Sequence, residues 1–131
     1  MNEEQVYERV AEAFCEALGL DDDEVERTSL VIDDLGAESL DFLDIAFRLE
    51  RAFGIKIPRG QIQKAAEEQA GEAFEVEGKL TESGAAALRD ALPEAAEGAI
   101  RAGFPVRDIP RLFTVETFLN LVLKLLADKD A

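Results

Sequence analysis

Apolar residues recur at helical spacing in three separate stretches of the chain. Val6, Val10, Phe14, Ala17 and Leu18 fall on one face, and Asn2 stands ahead of them as a capping residue with Glu3 and Glu4 in the first turn. This predicts a helix from Asn2 to about Leu18, stopped by Gly19. A second run, from about Ser39 to Phe53, places Leu40, Leu43 and Phe47 beside Phe42, Ile45 and Leu49, a stripe wider than a surface helix requires. Gly54 fits its C-terminal cap, and Pro58 discourages continuation. The third run follows Thr114, a capping residue with Glu116 in the first turn. Val115, Phe118, Leu119, Val122, Leu125 and Leu126 form its buried face, and Lys124 and Lys129 suit its C-terminal end.

Between the first two helices lies a long polar loop. Val25, Leu30, Ile32 and Leu35 are its expected tethers to the core. The run Asp21-Asp22-Asp23-Glu24 lacks the spacing and the glycine of an EF-hand, and reads as a solvated acidic loop. Between Pro58 and Thr114 the pattern is weaker. Ile62, Ala65, Ala66 and Ala70 suggest a helix. Glu75 to Leu80 alternates too briefly to define a strand. Thr81 reads as a cap for a helix carrying Leu88 and Leu92, which Pro93 ends or bends. Ala95, Ala96, Ala99 and Ile100 outline a further short helix closed by Gly103, and Phe104-Pro105 and Ile109-Pro110 enclose an irregular connector. The expected fold class is all-α. A small helical bundle is built from residues 1–58 and 114–131, with a helical insertion at 59–113, in one domain of 131 residues.

The formal charge of −15 argues against nucleic acid and favours partners with basic docking patches. The single cysteine, Cys15, has no partner for an internal disulfide and sits at the edge of its helix's apolar stripe, which suits an inert thiol in a reducing cytosol. No apolar stretch approaches the roughly 20 residues of a membrane span. The N-terminus lacks the basic start and apolar run of a signal peptide, so a cytoplasmic protein is expected.

The stretch Asp33-Asp34-Leu35-Gly36-Ala37-Glu38-Ser39-Leu40-Asp41 carries the chemistry. Ser39 is placed where a helix begins, and backbone N–H groups there favour a phosphate. The chain has no histidine, so no such base activates this serine; a site modified by another enzyme is the better reading. A plain helix cap is the bland alternative.

The stretch resembles the attachment site of the acyl carrier proteins, in which the serine of Asp-Leu-Gly-x-(Asp/Glu)-Ser-Leu carries 4'-phosphopantetheine through a phosphodiester. The match continues to Phe53-Gly54-Ile55-Lys56-Ile57-Pro58. With Ser39 to Phe47, it looks most like the specialised bacterial carriers of very long or hydroxylated acyl chains for lipid A. The resemblance implies that a phosphopantetheinyl transferase brings coenzyme A and supplies metal and base. The Ser39 hydroxyl would then displace the 3',5'-ADP portion. It implies no catalytic residues, and acyl-chain synthases or acyltransferases with basic patches as further partners. Glu38, Asp41, Asp44 and Glu50 fall at acidic docking positions. Arg48 and Arg51 depart from an ordinary fatty-acid carrier, and either select a different partner or pair with Asp44 and Glu50. Leu40, Phe42, Leu43, Phe47, Ile57 and Phe118 are the candidates for an apolar space that takes a fatty acyl chain. Carriers of aminoacyl, polyketide or other small acyl units, and an unmodified helical interaction module, are the alternatives.

Overall fold

The computed structural model describes residues 2–57, 64, 66–68, 74–96 and 98–130, without the side chains of Ser39 and Asp130. Its helices are α1 (Glu3–Leu18), α2 (Ser39–Phe53), α3 (Glu82–Ala91) and α4 (Val115–Asp130), with a hairpin of β1 (Glu75–Val76) and β2 (Lys79–Leu80). Residues 66–68 are also helical. Pro58, Ile62, Ala65 and Ala70, to which the sequence assigns a helix stop and a helix, lie outside the described residues. The main elements are helical, as expected of an all-α chain. The chain separates into two compact units, one of Met1–Ile57 with Phe113–Ala131, the other of Pro58–Leu112.

In the first unit each helix starts where its cap dictates. Asn2 Oδ1 accepts from the Gln5 N–H at 2.8 Å, and Gln5 Oε1 accepts from the Asn2 N–H at 3.0 Å, satisfying donors that a helix start leaves free. Thr114 and Thr117 do the same for α4: Thr117 Oγ1 accepts from the Thr114 N–H at 3.0 Å, and Thr114 Oγ1 accepts from the Thr117 N–H at 3.3 Å. Both threonines are buried, so each is the other's substitute for water. Gly19 and Gly54 close α1 and α2 with φ of 68° and 65°, a left-handed turn that glycine enters without steric cost.

The core of this unit joins Val6, Val10 and Phe14 of α1, Ile45, Leu49 and Phe53 of α2, and Val115, Leu119 and Val122 of α4. α1 packs on α2 and α4, and α2 on α4. Leu125 and Leu126 are only half-buried against the cluster. In the connecting loop Val25 is buried, but the deepest tether is Val31, which the sequence reading passed over for its half-buried neighbour Ile32. The backbone explains the choice, since the Val31 N–H donates to the Phe113 carbonyl and draws that residue inward. The acidic run contains a 3-10 turn, Asp22–Glu24, within the stretch expected to be loop.

The described residues of the second unit carry more regular structure than their sequence suggested. The alternating stretch forms the hairpin, with Glu75 opposite Leu80 and Val76 opposite Lys79. Glu77 and Gly78 turn at φ of 54° and 77°, the pair of left-handed residues that a two-residue hairpin needs. A third segment continues the pairing: the Leu80 N–H donates to the Phe104 carbonyl, and the Gly103 N–H to the Leu80 carbonyl. Thr81 caps α3 by accepting from the Gly84 N–H at 3.0 Å. Leu88 and Leu92 are buried as their spacing implied. Two expectations fail. The described residues between Ala95 and Ile100 form turns and bends in place of a helix, and Gly98 there takes φ of 80°. The connector expected to be irregular contains a 3-10 helix, Val106–Leu112, with Pro110 inside it and Ile109 and Leu112 buried.

Candidate functional site

The start of α2 is fixed by the loop that precedes it. Three backbone bonds staple this loop to the entrance of α4: Val31 N–H to the Phe113 carbonyl at 2.9 Å, Val115 N–H to Ser29 at 3.1 Å, and Glu116 N–H to Arg27 at 3.0 Å. Within the loop, Asp34 Oδ2 accepts from the Leu30 N–H at 2.7 Å, and the Ala37 N–H returns to the Val31 carbonyl at 3.1 Å. Gly36 takes φ of 75° to make this return. Ala37 is buried, and the next residue but one opens the helix. Asp41 completes the start, its Oδ2 accepting from the Glu38 N–H at 2.8 Å. Arg27 ties the surroundings together. It pairs with Glu3 at 3.0 Å and Glu116 at 3.7 Å, and stacks over Tyr7 at 4.8 Å. Its hydrogen bond to Glu3 holds the guanidinium proton more tightly than usual.

Ser39 is the first residue of α2, where helix dipole and backbone donors favour an anion. Its neighbours Glu38 and Leu40 are exposed, and nothing stands within 4 Å of the position a side chain on Gly36 would take. The main chain therefore leaves room for a bulky phosphate-bearing arm, and the residues present fit that group.

The structure separates the remaining candidates. Of the docking residues, Arg48 bridges Asp44 at 2.9 Å and Glu16 of α1 at 2.8 Å, so it ties helices together as well as facing solvent. Glu50 Oε2 accepts from the Ile57 N–H at 2.7 Å and holds the chain that leaves α2. Arg51 is exposed, with no ion-pair partner among the described residues. Of the apolar candidates, Phe42, Leu43 and Ile57 are half-buried and Phe118 is buried. Leu40 and Phe47 are 77% and 62% exposed, which corrects their assignment to an apolar interior. The helix turns Ile45, Leu49 and Phe53 inward, and Leu40 and Phe47 lie on the opposite face.

Phe42 and Phe118 belong to a four-ring cluster. Phe118 meets Phe14 edge-on at 5.3 Å, stacks with Phe42 at 6.1 Å and meets Phe113 edge-on at 6.1 Å; Phe42 and Phe113 lie 6.4 Å apart. Phe113 was not foreseen, since it sits next to a segment read as irregular; its only signal is its place just before the Thr114 cap. Its member Phe42 is the fourth residue of α2. The Cys15 thiol donates to Asp22 Oδ1 at 3.7 Å. Burial, then the charge of Asp22, push it above the ordinary thiol value, as befits an inert group. The carboxylates of Asp21, Asp23 and Glu24 lie within 4.8 Å of one another on the surface, and Glu24 accepts from the Asp21 N–H.

Residues 8–66 match the family described as the phosphopantetheine attachment site. An acyl carrier protein of Thermotoga maritima is 36% identical over 61 residues, covering 47% of this chain and 75% of the relative. The chain belongs to the acyl carrier protein family. Members are carriers and not enzymes, and their prosthetic group is 4'-phosphopantetheine. The acyl carrier protein AcpXL of Brucella melitensis is 49% identical over 55 residues, 42% of this chain and 59% of the relative. That of Rhizobium meliloti is 46% identical over 55 residues. The chain thus spans about three fifths of the length of these AcpXL relatives. No described helix of the carrier is long and apolar enough to cross a membrane.

Proposed function

We propose that Ser39 holds the 4'-phosphopantetheine arm, and that the carrier delivers long-chain or hydroxylated fatty acyl groups for lipid A or a related envelope lipid. When bound, the arm supplies a thiol that carries the acyl group as a thioester. The observation that supports the attachment point is the stapled loop ending at Ser39 on the first turn of α2. The loop gives the transferase a preset backbone and an anion-favouring helix end. The choice of cargo rests on the likeness to the specialised branch, and on identities of 46–49% with AcpXL proteins against 36% with the Thermotoga carrier.

In this reading residues 1–58 and 114–131 are the carrier core and 59–113 an insertion. Phe42 and Phe118, with Leu43 and Ile57, form the apolar side of the space that shelters the chain, each buried methylene gaining about 0.8 kcal/mol. Glu38, Asp41 and Asp44 meet basic patches on the transferase and on acyl-processing enzymes, and the protein works in the cytoplasm. Incubation with coenzyme A and a broad-specificity phosphopantetheinyl transferase tests the first claim. Intact mass must rise by one arm, and Ser39→Ala must abolish the rise; an unchanged wild-type mass refutes it. Mass spectrometry of the native thioester tests the second, and a short polar cargo refutes it.

A further inference from the structure

The second unit carries a row of side chains that its own core does not use. Val76 lies opposite Lys79 in the hairpin, and Glu75 opposite Leu80. A bridge between Lys79 and Pro105 extends the first pair onto the third segment. Residues directly opposite one another share a face of a sheet, so Val76, Lys79 and Pro105 stand side by side. Leu80, on the other face, is 3% exposed, whereas Val76 is 62% exposed. Val76 is the one exposed large apolar side chain among the described residues outside α2. Lys79 is exposed beside it.

The charge around this row runs against the rest of the chain. Asp and Glu outnumber Lys and Arg by 29 to 14 overall. Residues 98–112 nevertheless carry Arg101, Arg107 and Arg111 against one acid, Asp108. Backbone bonds bring this segment to the row: the Gly103 N–H donates to the Leu80 carbonyl, and the Val106 N–H to the Gly78 carbonyl. Arg101 stands just before the first of these contacts and Arg107 just after the second. Both are exposed, and neither they nor Lys79 form an ion pair among the described residues. The adjoining acids are Glu77, in the turn, and half-buried Asp108; Glu75 belongs to the other face. Exposed charges of this kind add little to folding.

We propose that this face of the second unit docks on the surface of an anionic bilayer, with Lys79, Arg101 and Arg107 against lipid phosphates and Val76 and Pro105 at the acyl boundary. This rests on the carrier reading and extends it. An acyl group destined for an envelope lipid has its acceptor in a bilayer, and a chain of charge −15 is repelled by an anionic one. A local basic row overcomes that repulsion. Charges farther than about 8 Å away are screened at physiological salt, while each cation near the leaflet gains roughly five-fold in partitioning. An apolar side chain beside cations fits a boundary where phosphates overlie hydrocarbon better than it fits an acidic protein surface.

The test is co-sedimentation of the unmodified full chain with vesicles of phosphatidylcholine, alone or mixed equally with phosphatidylglycerol. At about 0.15 M salt the wild type partitions at least five-fold better onto the mixed vesicles, and the preference disappears near 0.5 M, where screening shortens to about 4 Å. The triple change Lys79→Gln, Arg101→Gln and Arg107→Gln abolishes the preference, Lys79→Arg keeps it, and Val76→Ser lowers binding about three-fold at constant charge. Lys124→Gln, an exposed cation of the first unit, stays within two-fold. Thermal midpoints of all variants match the wild type. The proposal is overturned if the wild type shows no preference for the mixed vesicles, if Lys124→Gln loses as much as the triple variant, or if Val76→Ser has no effect. Tighter binding to soluble poly-L-glutamate than to vesicles of equal charge also overturns it, in favour of an acidic protein partner. The assay needs no arm, so failure of the carrier reading shows separately, as no arm on Ser39 after transferase treatment.

Discussion

Phe118→Ala and Phe47→Ala remove the same atoms from two helices of one unit, and the structure assigns them opposite outcomes. Phe118 is 7% exposed and touches three other rings. Truncating a buried phenylalanine costs about 3–5 kcal/mol, from lost transfer energy and the cavity left behind. The edge-on and stacked pairs, about 0.5–1.5 kcal/mol each beyond their burial, place this site toward the upper end. Against a total stability of about 5–15 kcal/mol that is a large fraction. With a urea m-value of about 2 kcal/mol/M, the midpoint falls by roughly 2 M. Phe47 is 62% exposed, and its removal stays within about 0.5 kcal/mol. Urea titrations followed by far-ultraviolet circular dichroism measure both. Equal midpoints for the two variants, or a Phe118→Ala loss under about 1 kcal/mol, would refute the assignment of the ring cluster to the core and of Phe47 to the surface.

Three further outcomes follow from single contacts. In Gly84→Ala the new methyl collides with the Phe74 carbonyl oxygen, so α3 or the hairpin must shift, costing about 1–3 kcal/mol in the second unit, measurable by hydrogen exchange of α3 amides. Gly36→Ala must hold a left-handed φ of 75°, at about 1–2 kcal/mol, and slows the proposed arm transfer to Ser39 by disturbing the loop; an unchanged transfer rate contradicts the proposal that the stapled loop presents Ser39. The Cys15 thiol is raised above its ordinary value of 9.0, first by burial and then by Asp22. Its contribution is complete below that value and is lost as pH rises through the folded-state pKa, because the unfolded chain releases the proton first. Denaturation midpoints from pH 8 to 10.5 therefore decline more steeply in wild type than in Cys15→Ala, and parallel declines disprove the buried thiol.

The helices of the first unit were legible because cap, period and stop agree at each: Asn2 and Gly19 for α1, Gly54 for α2, Thr114 for α4. The position of the nine-residue motif was legible for a related reason, since it stands where a loop becomes a helix. What periodicity could not decide was which side of the wide stripe on α2 turns inward. Six apolar residues at helical spacing cover more of the circumference than two neighbouring helices can bury, and tertiary packing chose Ile45 and Leu49 over Leu40 and Phe47. Val31 is hidden because a backbone bond to Phe113, distant in sequence, sets its direction. The second unit misled the reading at Gly98 and at Val106–Leu112. There, positive φ and 3-10 geometry depend on contacts with no local period.

The loop that leads to Ser39 takes its hydrogen bonds from Phe113, Val115 and Glu116, which are made only after the whole intervening unit. A growing polypeptide that has already delivered Ser39 into solution still lacks the strip of backbone that seats it. Ser39 is therefore seated only once Phe113 to Glu116 are in place, and a chain cut anywhere in between leaves the start of α2 without that support.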